Sequence, residues 1–164
     1  MTIFDIIINF VSKIVQSSVI IQDYGLLGLF FIQLLPSFLL IDSAATVSAV
    51  ILGFNPISII IFAVLGGVIG DLLWYYFAYY SYRKIKKIEN GKAETLIHRY
   101  HRPIFLFTSF PGGELILIYA GVKHIKLKQI IPFIIASHVI KTTIAILVGL
   151  GILALPEVLG KIFF

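Results

Sequence analysis

Residues 103–122 read PIFLFTSFPGGELILIYAGV, and the way this stretch breaks decides the fold. Both ends are apolar enough for hydrocarbon. The middle, Phe110-Pro111-Gly112-Gly113-Glu114, is not helix-compatible, because proline removes a backbone donor and the glycines favour a turn. An apolar hairpin is expected in place of one continuous helix. Arg83, Lys84, Lys86, Lys87, Lys92, Arg99 and Arg102 precede it, with only Glu89 and Glu94 among them, and Lys123, His124, Lys126 and Lys128 follow. Short loops rich in Lys and Arg stay on the cytoplasmic side. With both clusters on that side, 103–122 enters and leaves by one face.

The same pattern occurs earlier in the chain. Residues 25–53 are apolar but interrupted at Pro36-Ser37 and Asp42-Ser43. A break of that kind inside hydrocarbon is tolerated only where protein or a wet cavity covers the loosened backbone. A turn at Gly53-Phe54-Asn55-Pro56 leads into a long span, 56–81, just as hairpin 103–122 leads into a span at 129–155 and a tail at 156–164. The two units, 25–81 and 103–155, would have opposite orientation. The expected fold is an all-α integral membrane protein built as an inverted repeat of re-entrant hairpin plus long helix, an architecture of secondary transporters. Sequence identity between the units is negligible, so this expectation rests on hydropathy and topology. Ahead of them, 1–22 forms a separate element. Its Asp5, Asn9, Lys13 and Gln16 share one helical face, so it either lies on the membrane or spans it with that face against protein.

Composition excludes the main alternatives. The chain is 59% hydrophobic and only 13% charged, with a mean hydropathy of +1.03, and 25–41, 55–70 and 129–155 offer almost no polar face for water. There is no cysteine, which removes thiolate catalysis, cysteine-ligated zinc and disulfides. The N-terminus lacks a basic region and a small-residue cleavage site, so no cleaved signal peptide is expected. No Gly-x-Ser-x-Gly elbow, HExxH or P-loop is present, and an enzyme is not expected. His98 and His101 stand at i, i+3 without a third ligand nearby, so neither a metal nor another cofactor is expected. The basic stretch 83–102 reads as a topogenic loop, with anionic lipid as a second use and nucleic acid not expected.

Four ionisable residues fall deep in apolar surroundings: Asp42, Asp71, Glu114 and Lys141. A charge at the bilayer centre costs roughly 2.5 to 3.5 kcal/mol on insertion scales, so each should face protein or water. Asp42 precedes Asp71 by 29 residues and Glu114 precedes Lys141 by 27, which puts Asp71 and Lys141 at similar depths with opposite sign. Two readings stand. Asp71 and Lys141 pair and hold the spans together. Alternatively, a carboxylate that burial makes easier to protonate serves a proton pathway. Pro111, Gly112 and Gly113 leave backbone N–H groups at the start of a half-helix, a place for an anionic headgroup. Trp74, Tyr75, Tyr76, Tyr79, Tyr80 and Tyr82 read as an interfacial belt.

Several of these motifs, in order, resemble one family. Gly66-Gly67-Val68-Ile69-Gly70-Asp71-Leu72-Leu73-Trp74-Tyr75, Phe110-Pro111-Gly112-Gly113-Glu114, Ala120-Gly121 followed by Phe133, and Gly149-Leu150-Gly151 are similar to the DedA family of SNARE-associated, or VTT-domain, membrane proteins. Ile41-Asp42-Ser43 is similar to the end of its Pro-Gly-Asp-Ser motif. The chain departs from that family at its second hairpin, where Thr108 and Glu114 stand in place of arginines, at Phe30 to Gln33, where an acid is missing, and at Lys141, which replaces a tryptophan. The resemblance implies translocation of a membrane lipid, either flipping of a polyprenyl phosphate or scrambling of phospholipids, coupled to protons. The partners expected are membrane lipids and protons, in the cell membrane, with a homo-oligomer compatible. The alternatives are a proton- or ion-coupled transporter of a small solute and a membrane scaffold without transport.

Overall fold

The computed structural model describes residues 3–35, 41–81, 104–110 and 112–163. The expected breaks at Pro36-Ser37 and Pro111, and the basic stretch with Tyr82, His98 and His101, lie outside the described residues. Every regular element among the described residues is helical: α1 (Ile3–Gln33), α2 (Ile41–Ile51), α3 (Pro56–Ser81), a single 3-10 turn (Phe105–Phe107), α4 (Glu114–Val122) and α5 (Leu127–Phe163). Three of them contain stretches long and apolar enough to cross a membrane, at Ser12–Gln33, Pro56–Ser81 and Leu127–Ile152. The residues 156–163, expected as a tail, continue the helix of α5.

α1 is two helices joined at Gly25, whose φ of 60° and ψ of −143° belong to a region that only glycine enters freely. The reversal there is sharp. A Cβ on Gly28 would sit 2.8 Å from the carbonyl oxygen of Ile20, so the two arms nearly touch close to the vertex. The arm before Gly25 lies along α2, where the Ser17 and Ser48 hydroxyls meet at 2.9 Å. The arm after it turns back toward α2 and ends at Gln33 beside Asp42.

Both short helices end in the same way. After α2, Gly53 takes φ 81° while its N–H bonds the Val50 carbonyl and the Phe54 N–H bonds that of Ala49. After α4, His124 takes φ 53° while its N–H bonds the Gly121 carbonyl and the Ile125 N–H bonds that of Ala120. These are Schellman caps, which satisfy the last free carbonyls and redirect the chain. In each case the next helix starts three residues later.

The long helices each bury one face. On α3 it is Ile59, Ala63, Gly66, Gly67, Gly70, Asp71, Tyr75 and Ala78. On α5 it is Ile130, Ile134, Ser137, His138, Lys141, Thr142, Ile146 and Gly149, with Ala145 beside them. The spacing is that of one helical face, and every one of the eight positions on α3 has a buried counterpart on α5 71 residues later. Glycine and alanine on α3 let its neighbours approach its backbone. A Cβ on Gly66 would meet the Phe30 carbonyl, and one on Gly67 would collide with the His138 ring. The opposite faces carry Ile57, Ile61, Leu65, Ile69, Leu73 and Phe77 on α3, and Ile140, Ile144, Leu147 and Val148 on α5, all exposed. In water such stripes would be an aggregation surface, and in hydrocarbon they are an ordinary lipid-facing surface.

The helices cross between the halves of the chain. α2 packs on α5 and α4 packs on α3, while α3 and α5 pack on each other and α1 packs on α2 and α3. In the second half, the described residues ahead of α4 form the 3-10 turn at 105–107. The Thr108 hydroxyl bonds the Phe105 carbonyl at 3.0 Å, and local bonds of this kind compete with helix extension.

Candidate functional site

The buried polar groups converge on the middle of α5. Its apolar stretch runs Leu127–Ile152, and Ser137, His138, Lys141 and Thr142 fall around its centre on one face. The 1.5 Å rise per residue puts all four within about 5 Å of the midpoint along the axis. Each element packed around α5 supplies a partner.

Asp42 opens α2 and is 3% exposed. The Lys141 ammonium donates to its Oδ2, and the Ser43 N–H donates to its Oδ1 at 2.7 Å. A carboxylate in the first turn of a helix also faces the positive end of the helix dipole. Behind it, the Gln33 amide Nε2 donates to the Asp42 carbonyl at 2.8 Å and to the Thr46 hydroxyl at 3.0 Å, tying the end of α1 to the start of α2. The register of α2 on α5 is consistent along its length. Asp42 meets Lys141 and Val50 meets Gly149, eight residues further on in each helix, so the two run in the same direction.

Asp71, 4% exposed on α3, places Oδ2 at 3.0 Å from Nε2 of His138, which is 1% exposed. The second ring nitrogen, Nδ1, has no hydrogen-bond partner among the described residues, nor do Gln33 Oε1 and Thr142 Oγ1. One residue before His138, the Ser137 hydroxyl donates to the Leu106 carbonyl at 2.6 Å. It accepts the Ser109 N–H at 3.1 Å and meets the Ser109 hydroxyl at 2.6 Å. Those bonds fasten the segment before α4 to α5.

The expected pairing is corrected here. Asp71 and Lys141 do lie buried on facing spans, but they are not partners: Lys141 holds Asp42, and Asp71 holds His138. Lys141 and His138 stand one turn apart on α5, so each base selects the acid of a different helix. Glu114 is 6% exposed in the first turn of α4. The free N–H groups expected at the second hairpin are largely engaged. The N–H groups of Gly113, Leu115 and Ile116 donate to the carbonyls of Phe110, Gly112 and Gly113. Gly113 itself is pressed against the Phe107 and Thr108 carbonyls, which leaves no room there for a side chain.

The aromatic run after Asp71 divides in two. Tyr75 is buried, donates its hydroxyl to the Ile125 carbonyl at 2.7 Å and stacks on Tyr79, which meets the His124 ring edge-on. Trp74, Tyr76, Phe77 and Tyr80 face the other way and, with Leu34, Leu35 and Leu73, line an open apolar groove of about 730 Å³. Part of the expected belt is therefore core that joins α3 to α4.

Sequence reasoning missed His138, Gln33 and Ser137. The signal was present in the spacing: Ser137, His138, Lys141 and Thr142 occupy one face of an otherwise apolar span, and polar groups grouped in that way need a polar counterpart. No family model, curated protein or solved structure matches the chain.

Proposed function

We propose that this chain is a lipid translocator of the cell membrane, in which two oppositely oriented units meet at the bilayer centre and give a polar headgroup a path across. The observation that carries the reading is the pair of acid–base contacts, Lys141 with Asp42 and His138 with Asp71, buried at the centre of apolar spans. Charged groups are expensive at that depth, and three helices contribute to this cluster, which is the arrangement expected of a pathway.

The repeat that such a mechanism needs is supported by matched contacts. Gly53 and His124, Pro56 and Leu127, and the buried faces of α3 and α5 are all related by 71 positions. The same step relates contacts in reversed order. Val50 touches Gly149, and 71 residues from each of these, Gly121 touches Ala78. Gly66 lies against the Phe30 carbonyl and Gln33, and its counterpart Ser137 bonds the Leu106 carbonyl and Ser109, where the step is 76 positions, five more than along the long helices. Two units related by a pseudo-two-fold axis produce such a pattern. With opposite orientation, each short helix α2 and α4 acts as the second arm of a re-entrant hairpin whose acid, Asp42 or Glu114, stands at its tip. This is also the architecture that resemblance to the DedA family implies.

The test is headgroup exposure in liposomes. Purified protein is reconstituted with tail-labelled phospholipid, and a membrane-impermeant reductant reports how fast inner-leaflet lipid reaches the outside, with and without a pH gradient. Faster exposure than in empty liposomes is expected, slowed by Glu114→Gln. Equal rates with and without protein would end the lipid reading and leave transport of a small polar solute, which the buried histidine favours over a scaffold.

A further inference from the structure

His138 is buried against a glycine on one side and a carboxylate on the other, and these surroundings fix what it can do. Its ring is 1% exposed, its Nε2 faces Asp71 Oδ2 at 3.0 Å, and its Nδ1 has no partner among the described residues. The reason for the last fact is visible on α3: Nδ1 is the atom that a Cβ on Gly67 would strike first. The ring edge therefore rests on the bare Cα of Gly67, which offers no acceptor. A neutral ring with its proton on Nε2 fits this place, donating to Asp71 and leaving the Nδ1 lone pair toward Gly67. An imidazolium does not fit without moving, because its second N–H would be buried and unsatisfied.

The charge balance points the same way. Lys141 is answered by Asp42. Among the described residues Asp71 is answered by a ring that its position holds neutral, so the two pairs together carry two carboxylates against one ammonium, and a buried carboxylate without a counter-charge is costly. A proton supplies that charge. The other buried ionisable groups on the neighbouring elements are Lys141 one turn along α5, Asp42 paired with it on α2, Tyr75 one turn along α3 and, at the start of the helix packed on α3, Glu114, while α1 contributes the neutral Gln33.

Position adds a third argument. Gly67 and His138 are counterparts under the 71-residue step and touch each other, so the pseudo-two-fold axis passes between them. A group on that axis keeps its place when two inverted units exchange conformations, and each side of the membrane reaches it in turn.

We infer that Asp71 and His138 form a one-proton site on the axis of the molecule, loaded from one side and released to the other, while Lys141 and Asp42 remain a standing ion pair. The inference rests on the transport reading for its purpose, but the site itself is testable without any substrate. Loading moves one proton from water onto the pair, converting carboxylate and neutral imidazole to carboxylate and imidazolium, and release returns it to water. Because the loaded ring carries an N–H toward Gly67, loading drives it off that glycine toward a buried acceptor. Gln33 Oε1, whose side chain packs on the adjacent Gly66, and Thr142 Oγ1, one turn along α5, are both without a donor.

The experiment uses the full chain, with ring-nitrogen-labelled histidine, in lipid nanodiscs. The chain has four histidines, and His138→Gln identifies the signal of interest by its loss. The expected result is an Nε2-protonated neutral ring at the alkaline end of the pH range over which the protein stays folded and an imidazolium at its acid end. Asp71→Asn keeps the shape but removes the anion that balances the imidazolium, so its ring should stay neutral throughout. Thermal unfolding and gel filtration confirm that each variant is folded. A wild-type ring that keeps one state across the range, or an Asp71→Asn ring that titrates like wild type, overturns the proton site. The lipid assay at constant pH is a separate readout, so either idea can fail alone.

Discussion

Removing the Lys141 ammonium while keeping the bulk of its side chain, as in Lys141→Met, strands the Asp42 carboxylate, 3% exposed, without its counter-charge. Breaking a buried pair from one side costs about 3–5 kcal/mol. Asp42 keeps the Ser43 N–H at 2.7 Å and its place in the first turn of α2, so the lower end, about 3 kcal/mol, is expected. Asp42→Asn strands the ammonium instead and should cost about as much. The double variant leaves an amide facing a thioether, with no charge on either side, and should cost less than the sum of the singles by about 2 kcal/mol or more. Unfolding by denaturing detergent from mixed micelles, followed through the fluorescence of Trp74, the single tryptophan, gives the three free energies. The same cycle on Asp71 and Lys141 should show a smaller coupling, because Asp71 directs its Oδ2 to His138. Additive effects at Asp42 and Lys141, or a larger coupling at Asp71 and Lys141, would refute the pairing.

Gly67→Ala drives a methyl group into the His138 ring and should destabilise by about 1–3 kcal/mol, with His138→Ala in the same chain restoring much of the loss when unfolding is measured in the same way. Ser137→Ala leaves the buried Ser109 N–H and the Leu106 carbonyl without their partner, a cost of about 1–3 kcal/mol, and should raise amide exchange in 104–110 before it does so in α3. The absence of cysteine allows single-cysteine labelling: Lys92→Cys and Lys126→Cys should react from one side of the membrane and Asn55→Cys from the other, and opposite labelling of 92 and 126 would end the inverted topology. Glu114→Gln should fold normally and slow lipid exposure in liposomes, whereas Asp42→Asn should slow it and also destabilise, because it leaves Lys141 without its acid.

Burial of Asp42, Asp71, Glu114 and Lys141 was legible without coordinates, because each interrupts an apolar stretch and a charge in hydrocarbon must turn inward. The break before Glu114 was legible too, since proline and paired glycines act on their own backbone. What was misread was non-local. The spans have equal depth for Asp71 and Lys141, yet depth does not fix a helix's rotation. The rotation of α5 that brings His138 to Asp71 places Lys141 a turn away, where the start of α2 meets it.

The sequence by itself therefore determined that the chain is helical and apolar enough to cross a membrane, that a break precedes Glu114 and which charges turn inside, whereas the break it suggested at Asp42-Ser43 is continuous helix in α2. Hydropathy, proline and glycine act within a few residues, and that range suffices for those outcomes. Only the tertiary structure decided which acid meets which base, that Tyr75 of the aromatic run is core, and that a histidine rests on a bare glycine at the centre. Those outcomes depend on helix rotation and on contacts between positions 67 and 99 apart in the chain, which no local property encodes.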